Sequence, residues 1–354
     1  MSESFMKVYN NLFSKISDPT NLFLAWEEFR RGKGSKEDVR KFELKLEENI
    51  FELARDLQNK KYKHGPYAGF YISDPKLRHI HKATVRDRVL HHAVFQILNS
   101  IFEVTFIPSS YSCRIGKGSH KGVADVEKIL LKVSKNRTSS CYVLKCDIKK
   151  FFDSVDHGIL IGIFQSKIKD LETMWLLREI IGSYSSEHSD ILQPRGLPIG
   201  NLTSQLFANI YMNEFDQFVK KELKVKHYGR YTDDFITTSD NLGYLKSLIK
   251  PIDDFLNENL RLDLHPNKVE IRKYHQGVDF LGYIIFPHYR LLRSKTKRRV
   301  LRNLREKMKS YKNGLISENH LYQSLQSCLG VLSHADAYEF TEDLKNQFWY
   351  WIRE

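Results

Sequence analysis

The sequence contains few cysteines and lacks any long hydrophobic stretch. Its four cysteines, Cys113, Cys141, Cys146 and Cys328, show no C-x-x-C spacing and no paired histidines at zinc-finger spacing. A disulfide framework and a structural zinc site are therefore not expected. No run approaches the roughly 18 apolar residues of a membrane span, and the N-terminus lacks the apolar core of a signal peptide. We therefore expect a cytoplasmic protein with no membrane partner.

The composition is that of a folded, basic protein. Hydrophobic residues make up 41% and aromatic residues 12% of the 354 positions, which excludes a largely disordered chain. The length predicts about two domains or one large multi-lobed enzyme. Lysine and arginine outnumber aspartate and glutamate by 56 to 43, which gives a net charge of +13. That surplus suits a polyanionic partner or an acidic membrane surface.

Hydrophobic spacing predicts helical ends and a mixed α/β centre. Residues 1–60 have helical periodicity, in which Leu22, Trp26 and Phe29 recur at i, i+4 and i+7. Strand-like runs in the centre are expected at 67–72, 141–147, 227–240 and 278–286, and helices at 89–101, 123–133, 206–219 and 245–256. The run 227–240 is predicted to form a hairpin with an acidic turn. A basic amphipathic helix follows at 295–312, and residues 321–352 are again helical.

Two acidic sites are candidates for metal chemistry. Asp147 ends an apolar strand, and Asp233-Asp234 lie in the turn of the predicted hairpin. If those strands are neighbours in one sheet, three carboxylates converge at its rim, and such a cluster suits Mg²⁺. Two such ions about 3.5–4 Å apart serve in-line displacement at phosphorus. The alternative, that these carboxylates are merely solvated, fully explains the pair Asp253-Asp254 on the polar face of a helix.

Several motifs, in order, resemble the palm and fingers of a reverse transcriptase. The palm motifs are the strand ending in Asp147, the turn-helix block at 193–205 and the Tyr231-Thr232-Asp233-Asp234 hairpin. The remaining blocks that resemble the family are 76–94, 110–123, 265–271 and 278–283. The resemblance covers about residues 60 to 300 and implies an α+β right-hand polymerase fold. It divides the chain into an N-terminal helical extension at 1–60, fingers at 61–140, a palm at 141–290 and a helical thumb at 291–354.

The resemblance also assigns roles to individual residues. It implies that Asp147, Asp233 and Asp234, with the Ile148 carbonyl, hold two Mg²⁺ ions for a polymerase that uses deoxynucleoside triphosphates. Residues implied to contact the nucleotide are Lys76, Arg78, Phe152, Ile199, Gly200, Gln205 and Lys268. Gly196 and Gly200 are expected to let the backbone approach closely. The alternatives are a core position for Phe152 and solvated surface for the lysines and Arg78.

Two basic segments are expected to contact nucleic acid. The loop at 107–122 carries Arg114 and Lys117, and the helix at 295–312 carries Arg298, Arg299, Arg302 and Arg305. Cations concentrated on one side of a helix suit the phosphates of a template–primer duplex, which makes binding salt-sensitive. The resemblance implies RNA template and cDNA as partners.

The turn-helix block suggests a subtype. Most group II intron and retron enzymes carry Q-G-x-x-x-S-P, whereas Ile199 to Gln205 read I-G-x-x-x-S-Q. That form and the segment 330–340 resemble the reverse transcriptases of diversity-generating retroelements, which are error-prone and work with a small basic pentameric accessory protein. The host is then bacterial, archaeal or a phage. Phage-defence or retron-like enzymes are the alternative, because some share the block and Thr232 replaces the more usual Met. A non-catalytic RNA-binding protein is a third reading, against which the three intact aspartates argue.

Overall fold

The computed structural model describes residues 8–74, 76–186, 189–190 and 192–353. Its α-helices in the first half are α1 (Leu12–Ser17), α2 (Pro19–Arg30), α3 (Glu37–Glu43), α4 (Leu46–Gln58), α5 (Val85–Phe102), α6 (Ser119–Val133) and α7 (Phe151–Ser154). Those in the second half are α8 (His157–Lys167), α9 (Leu171–Gly182), α10 (Leu202–Gln217), α11 (Leu242–Leu260), α12 (Ser294–Lys312), α13 (Glu318–Leu332) and α14 (Tyr338–Arg353).

The strands form three antiparallel arrangements. They are β1 (Ala68–Ile72), β2 (Arg78–Lys82), β3 (Tyr142–Asp147), β4 (Tyr228–Tyr231), β5 (Asp234–Ser239), β6 (Glu270–Lys273), β7 (Val278–Phe280), β8 (Tyr283–Ile285) and β9 (Arg290–Leu292). β1 and β2 form a two-stranded ribbon, β7, β8 and β9 a three-stranded sheet, and the four-stranded sheet has the order β4-β5-β3-β6. The predicted hairpin at 227–240 therefore exists, and its second strand is the direct neighbour of β3.

The described residues fall into two compact units, each built from separate stretches of sequence. The first unit contains the described residues up to Arg114, together with Asp147–Lys226 and Lys250–Pro266. The second contains Ile115–Cys146, His227–Ile249 and the described residues from Asn267 onward. Because the units interleave along the chain, they do not correspond to the four predicted segments, and that division stays a prediction.

The first unit is organised around α5, which packs against α2 and α10. Trp26 and Phe29 of α2 are buried, as their helical spacing predicts. The hydroxyl of Thr84 caps α5 by accepting a hydrogen bond from the Asp87 backbone N–H. Asp87 is itself fully buried, and it accepts a hydrogen bond of 2.8 Å from the Tyr62 hydroxyl, which satisfies its carboxylate.

The second unit is built on the four-stranded sheet and a shared apolar cluster. β3 pairs with β6 in antiparallel register, with Leu144 opposite Ile271. α6 packs against β4 and β5. The cluster joins Val126 of α6 to Phe280 of β7 and Leu304 of α12, so the basic helix is anchored to the sheet by its apolar face. Burial at Val300, Leu304 and Met308 follows the four-residue spacing of that face.

Three elements differ from the sequence-based expectation. The single strand expected at 278–286 is two strands joined by Leu281-Gly282, both with positive φ (49° and 90°), as a tight two-residue hairpin turn requires. The short helix expected at 245–256 is the longer α11, which extends beyond the predicted apolar stretch at both ends and contains Pro251 in its interior. The helical stretch at 321–352 is interrupted between α13 and α14. No helix in the described ranges has both the length and the apolar character needed to cross a membrane.

Candidate active site

The acidic turn of the β4–β5 hairpin has an unusual backbone. Tyr231 is paired with Asp234, so the turn consists of Thr232 and Asp233. Thr232 has a φ of 57°, in the left-handed region that β-branched residues rarely adopt. The guanidinium of Arg230, which is fully buried, donates a hydrogen bond of 3.0 Å to the Thr232 carbonyl. Strain of this kind persists only where surrounding contacts hold it, and it is typical of functional sites.

A lysine of the neighbouring strand lies next to this turn. Lys145 of β3 places its Nζ atom 3.8 Å from Oδ2 of Asp234, and both side chains are largely shielded from solvent. Residues two apart in a strand point to the same face, so Asp147 shares the face of Lys145. Asp147 is the last residue of β3, and with it begins the stretch Asp147–Lys226 that belongs to the first compact unit. The convergence of three carboxylates stays a prediction.

The donor chemistry at the turn fits a hard divalent cation. Asp233 and Asp234 are half-buried carboxylates, the oxygen donors that Mg²⁺ prefers. In the described ranges, no group of three or more histidine, cysteine, aspartate or glutamate side chains lies close enough to hold a metal ion. The individual donors of the turn therefore suit the metal, and the complete ligand set stays a prediction.

Within the first unit, backbone pairing fixes the segment that follows β3. The Asp147 carbonyl accepts a hydrogen bond of 2.8 Å from the His265 N–H, and Ile148 forms an antiparallel bridge with Leu264. Phe152 follows in the short helix α7 and is half-buried, with its ring edge-on to Phe151 at 5.5 Å. Its position is thus neither full core nor open surface.

A cavity of about 340 Å³ lies beside α7, and we call it the Arg78 cavity. Its lining consists of Tyr71, Leu77, Arg78, His79, His81, Asp153, Tyr184, Ser185 and Ile199. Two of the residues predicted to contact nucleotide, Arg78 and Ile199, therefore meet at one cavity. Lys76 is exposed and does not line it.

Gly196 and Gly200 both occupy positions that a side chain cannot easily fill. Gly196 has a φ of 109°, and a Cβ there would lie 2.9 Å from the Ser186 Cβ and 3.1 Å from the Ser186 backbone nitrogen. Gly200 has a φ of 124°, and its Cβ would lie 2.9 Å from Cγ2 of Ile80. The backbone approaches closely here because the His81 N–H donates a hydrogen bond of 2.9 Å to the Ile199 carbonyl.

The turn-helix block faces two cavities and not one. Gly200 and Gln205 line a second space of about 290 Å³, which we call the Asn201 cavity. The β1–β2 ribbon separates the two, since His79 and His81 line the Arg78 cavity whereas Ile80 and Lys82 line the Asn201 cavity. This alternation is the normal consequence of side chains pointing to opposite faces of a strand.

The motifs and strands described above match a known protein family. Residues 63–285 match the family model described as reverse transcriptase (RNA-dependent DNA polymerase). The chain belongs to the reverse transcriptase family. Membership implies the right-hand polymerase fold, and the observed helices and antiparallel sheets are consistent with the predicted α+β class. The family expected from the motifs is therefore confirmed.

Relatives of this reverse transcriptase include intron-encoded proteins. It is 27% identical over 245 residues to the group II intron-encoded protein LtrA of Lactococcus lactis subsp. cremoris, covering 66% of this chain and 39% of that protein. It is 25% identical over 283 residues to protein YkfC of Escherichia coli (strain K12), covering 69% of this chain and 71% of that one. An uncharacterized 91 kDa protein in the cob intron of Schizosaccharomyces pombe is 29% identical over 167 residues, covering 47% of this chain and 20% of that protein.

The residues predicted to contact nucleic acid have different surroundings in this reverse transcriptase. Lys117 is half-buried, as is Lys268, which was expected to contact the nucleotide. In α12, Arg298, Arg302 and Arg305 are exposed, whereas Arg299 is half-buried. The guanidinium of Arg305 also lies over the Trp351 ring at 5.3 Å.

Arg114, by contrast, has intramolecular partners for its guanidinium. It donates a hydrogen bond of 2.9 Å to Oε1 of Glu103, and two further hydrogen bonds to the carbonyls of Ile107 (2.7 Å) and Ser110 (2.9 Å). Only 6% of the side chain is exposed to solvent. These contacts organise the loop that follows α5. The nucleic-acid contact expected for Arg114 stays a prediction. In the structure this side chain stabilises the loop through its hydrogen bonds to Glu103, Ile107 and Ser110.

Sequence reasoning missed Lys145, Arg230 and Asn201 as neighbours of the site. For Lys145 a signal existed, because a charged residue inside an apolar strand and two positions before Asp147 must share its face. Arg230 carried a weaker signal, as a cation inside a β-prone run. Nothing in the sequence indicates that Asn201 is buried, since asparagine in a glycine-rich turn is ordinarily exposed.

We predict that Gly196→Ala destabilises the protein far more than Gly32→Ala. Both glycines have positive φ, but a Cβ at Gly32 would meet nothing within 4 Å. Backbone strain alone costs about 1–2 kcal/mol, and the clash with Ser186 adds about 1–3 kcal/mol. Denaturant unfolding of the two variants measures the difference. An equal loss of unfolding free energy in the two variants would contradict the close approach at Gly196.

We predict that Arg114→Lys lowers the free energy of unfolding by about 2–3 kcal/mol, nearly as much as Arg114→Ala. A lysine ammonium cannot bond Glu103 and two carbonyls in the geometry of a planar guanidinium. Thermal and denaturant unfolding of both variants provide the measurement. If lysine restores stability, and nucleic-acid affinity alone falls in the alanine variant, the side chain acts through its charge toward phosphates.

Proposed function

We propose that this chain is an RNA-directed DNA polymerase that copies an RNA of its own retroelement into cDNA by two-metal nucleotidyl transfer. The observation that carries the proposal is the strained hairpin turn bearing Asp233 and Asp234, on the strand adjacent to the one that Asp147 ends. Family membership supports the polymerase chemistry. The matched region covers 39% of LtrA, so the substrates and partners of the whole protein belong to this proposal.

In this proposal the three aspartates and the Ile148 carbonyl hold the metal ions. Two Mg²⁺ ions, when bound, supply activation of the primer 3′-hydroxyl and charge stabilisation of the departing pyrophosphate. The turn presents Asp233 and Asp234 side by side because Arg230 fixes the Thr232 carbonyl. The Lys145 ammonium beside Asp234 offsets part of the carboxylate repulsion at that edge of the sheet.

The nucleotide contacts are assigned to the Arg78 cavity. There Arg78 is placed to receive triphosphate oxygens, since a guanidinium donates to phosphate bidentately. Half-buried Phe152 in α7 would lie under the sugar and crowd a ribose 2′-hydroxyl. The exposed Lys76 would join from the end of the β1–β2 ribbon, and Lys268 would neutralise pyrophosphate.

The metal carboxylates provide a direct test of this proposal. Asp233→Asn and Asp147→Asn should each reduce nucleotide incorporation below detection, because the removed negative charge binds the metal ions and thereby stabilises the transition state. RNA binding and thermal stability should remain nearly unchanged. Asp253→Asn is the matched control, since Asp253 lies on α11 and accepts a hydrogen bond from Asn257 within the helix. Primer extension by the Asp233→Asn protein would contradict the proposal.

The finer proposal is that this enzyme belongs to a diversity-generating retroelement. Ile199 and Gln205 support it, as does the segment 330–340, where the Asp336 N–H donates a hydrogen bond to the Arg290 carbonyl. His334 of the same segment packs on His120 with ring centroids 3.8 Å apart. A small basic pentameric accessory protein is the partner that this subtype would require.

Copying accuracy tests that subtype. An isoleucine at 199 cannot exchange hydrogen bonds with a templating base or nucleotide, whereas glutamine can. We predict frequent misincorporation opposite template adenines, and about a tenfold lower error rate in Ile199→Gln, which corresponds to about 1.4 kcal/mol of discrimination. Sequencing of cDNA from a defined RNA template provides the measurement. An accurate wild-type product, or errors spread evenly over all four bases, would reject the subtype.

A phage-defence or retron-like reverse transcriptase is the second candidate, and Thr232 favours it. The diversity-generating group more often has methionine there, and the left-handed φ of 57° makes the position structurally demanding. Genomic neighbours distinguish the two: a near-repeat pair beside a variable gene, or a cluster of defence genes. Sequencing of the nucleic acid that co-purifies with the protein would identify the template directly.

The basic helix α12 is proposed to track template–primer phosphates. Neutralising Arg298, Arg302 and Arg305 should flatten the dependence of log affinity on log salt by about 0.9 per lost duplex contact. Half-buried Arg299 should contribute less. Fluorescence anisotropy at several salt concentrations measures the slope. An unchanged slope in the triple variant would make α12 a solvated or protein-binding surface.

A further inference from the structure

The Asn201 cavity is strongly cationic. Three basic side chains line it, Lys33 from the turn after α2, Lys82 from β2 and Arg88 from α5. The remaining lining is Phe29, Phe70, Ile80, His91, His92, Gly200, Asn201, Leu202 and Gln205. None of the catalytic aspartates lines this space, and the β1–β2 ribbon separates it from the Arg78 cavity.

The amino end of α10 opens into the same space. Asn201 is the N-cap residue of this 16-residue helix, yet its side chain makes no capping hydrogen bond, and the first turn contains no acidic residue. The backbone N–H groups of a first turn carry a partial positive charge and bind anions. An anion held there would take the place of the missing cap.

The Asn201 side chain is a second, independent sign of a ligand. It is 2% exposed, and neither Nδ2 nor Oδ1 has a hydrogen-bond partner at bonding geometry. Burial raises the pKa of the nearby Tyr67 hydroxyl to about 12, and the hydroxyl of Ser183 and, least, the Asn201 amide act in the opposite direction. A buried amide without a properly formed hydrogen bond is costly unless a ligand completes it.

The charges around the cavity are not balanced by its acidic neighbours. The Asp38 carboxylate is shared between two cations, at 2.7 Å from Lys82 and 2.6 Å from Arg88.

Burial, and then the charge of Arg88, lower the pKa of Lys33, which means that its positive charge is disfavoured here. Glu28 faces His92 with 3.9 Å between Oε2 and Nδ1. Burial, and then the neighbouring His64 and His92 rings and Arg88, lower the pKa of His91 to about 3, so the His91 ring is neutral.

We infer that the Asn201 cavity binds a phosphate group. The uncapped amino end of α10 and the Asn201 amide would supply hydrogen-bond donors, while Lys33, Lys82 and Arg88 would supply the positive charge. Because the cations crowd one another, a bound phosphate anion would relieve their repulsion. The phosphate comes either from the backbone of a nucleic-acid strand or from a free phosphate ion. This inference does not depend on catalysis.

The test uses the full chain with chelator and without nucleotide. In wild-type protein, sodium phosphate should raise the thermal midpoint above that in sodium chloride of equal ionic strength. Asn201→Asp should abolish the rise, because aspartate caps a helix well but repels an anion. Lys33→Gln and Lys82→Gln should each weaken phosphate binding, measured by calorimetry, about tenfold. Lys41→Gln, an exposed lysine outside the cavity, is the matched control.

A second arm identifies the source of the phosphate. For a single-stranded RNA, the slope of log affinity against log salt should fall by about 0.7 in Lys82→Gln if a strand phosphate occupies the cavity. If phosphate raises the thermal midpoint of the wild-type protein but Lys82→Gln leaves the salt dependence of RNA affinity unchanged, the site binds the free phosphate ion. Asp233→Asn should respond like wild type, which separates this inference from the polymerase proposal. If the Asn201, Lys33 and Lys82 variants match the wild-type protein in both phosphate binding and the salt dependence of RNA affinity, the Asn201 cavity is not a phosphate site.

Discussion

The hydrogen bond from Arg230 to the Thr232 carbonyl fixes the turn on which the candidate site depends. A two-residue turn is needed to pair Tyr231 with Asp234, and it forces a β-branched residue into a left-handed conformation that costs of order 1–3 kcal/mol. A fully buried guanidinium repays its own desolvation only through such bonds. Loss of this contact would let the turn relax, and the adjacent carboxylates Asp233 and Asp234 would then lose their fixed orientation.

The chemistry of the site is distributed over elements with different tasks. Asp147 ends β3 and Asp234 begins β5 of the four-stranded sheet, while in the first unit the β1–β2 ribbon and the turn before α10 line two cavities. Both glycines of that turn are required by close contacts, one with Ser186 and one with Ile80. Family membership explains why these elements occur together, and the contacts explain why the residues at the turn are so restricted.

Much of this arrangement was predictable because it depends on local pattern. The hairpin at 227–240, the strand ending in Asp147 and the basic helix α12 follow from alternation, helical spacing and turn composition. The prediction failed where two short elements share one apolar run, as in β7 and β8, because only the positive φ of Leu281 and Gly282 separates them. The contacts of Arg114 were not predictable either, since a cation in a glycine-rich loop gives no sign that Glu103 and two carbonyls will enclose it.

The β1–β2 ribbon is a wall shared by two chambers. From His79 to Lys82 the side chains alternate between the two cavities: His79 and His81 line the Arg78 cavity, and Ile80 and Lys82 line the Asn201 cavity, while Arg78 at the start of β2 lines the first cavity as well. Substitutions can therefore retune either chamber separately, as long as the ribbon keeps its register. A one-residue insertion would exchange the two sets of side chains, so ribbon length should be far more restricted during divergence than residue identity.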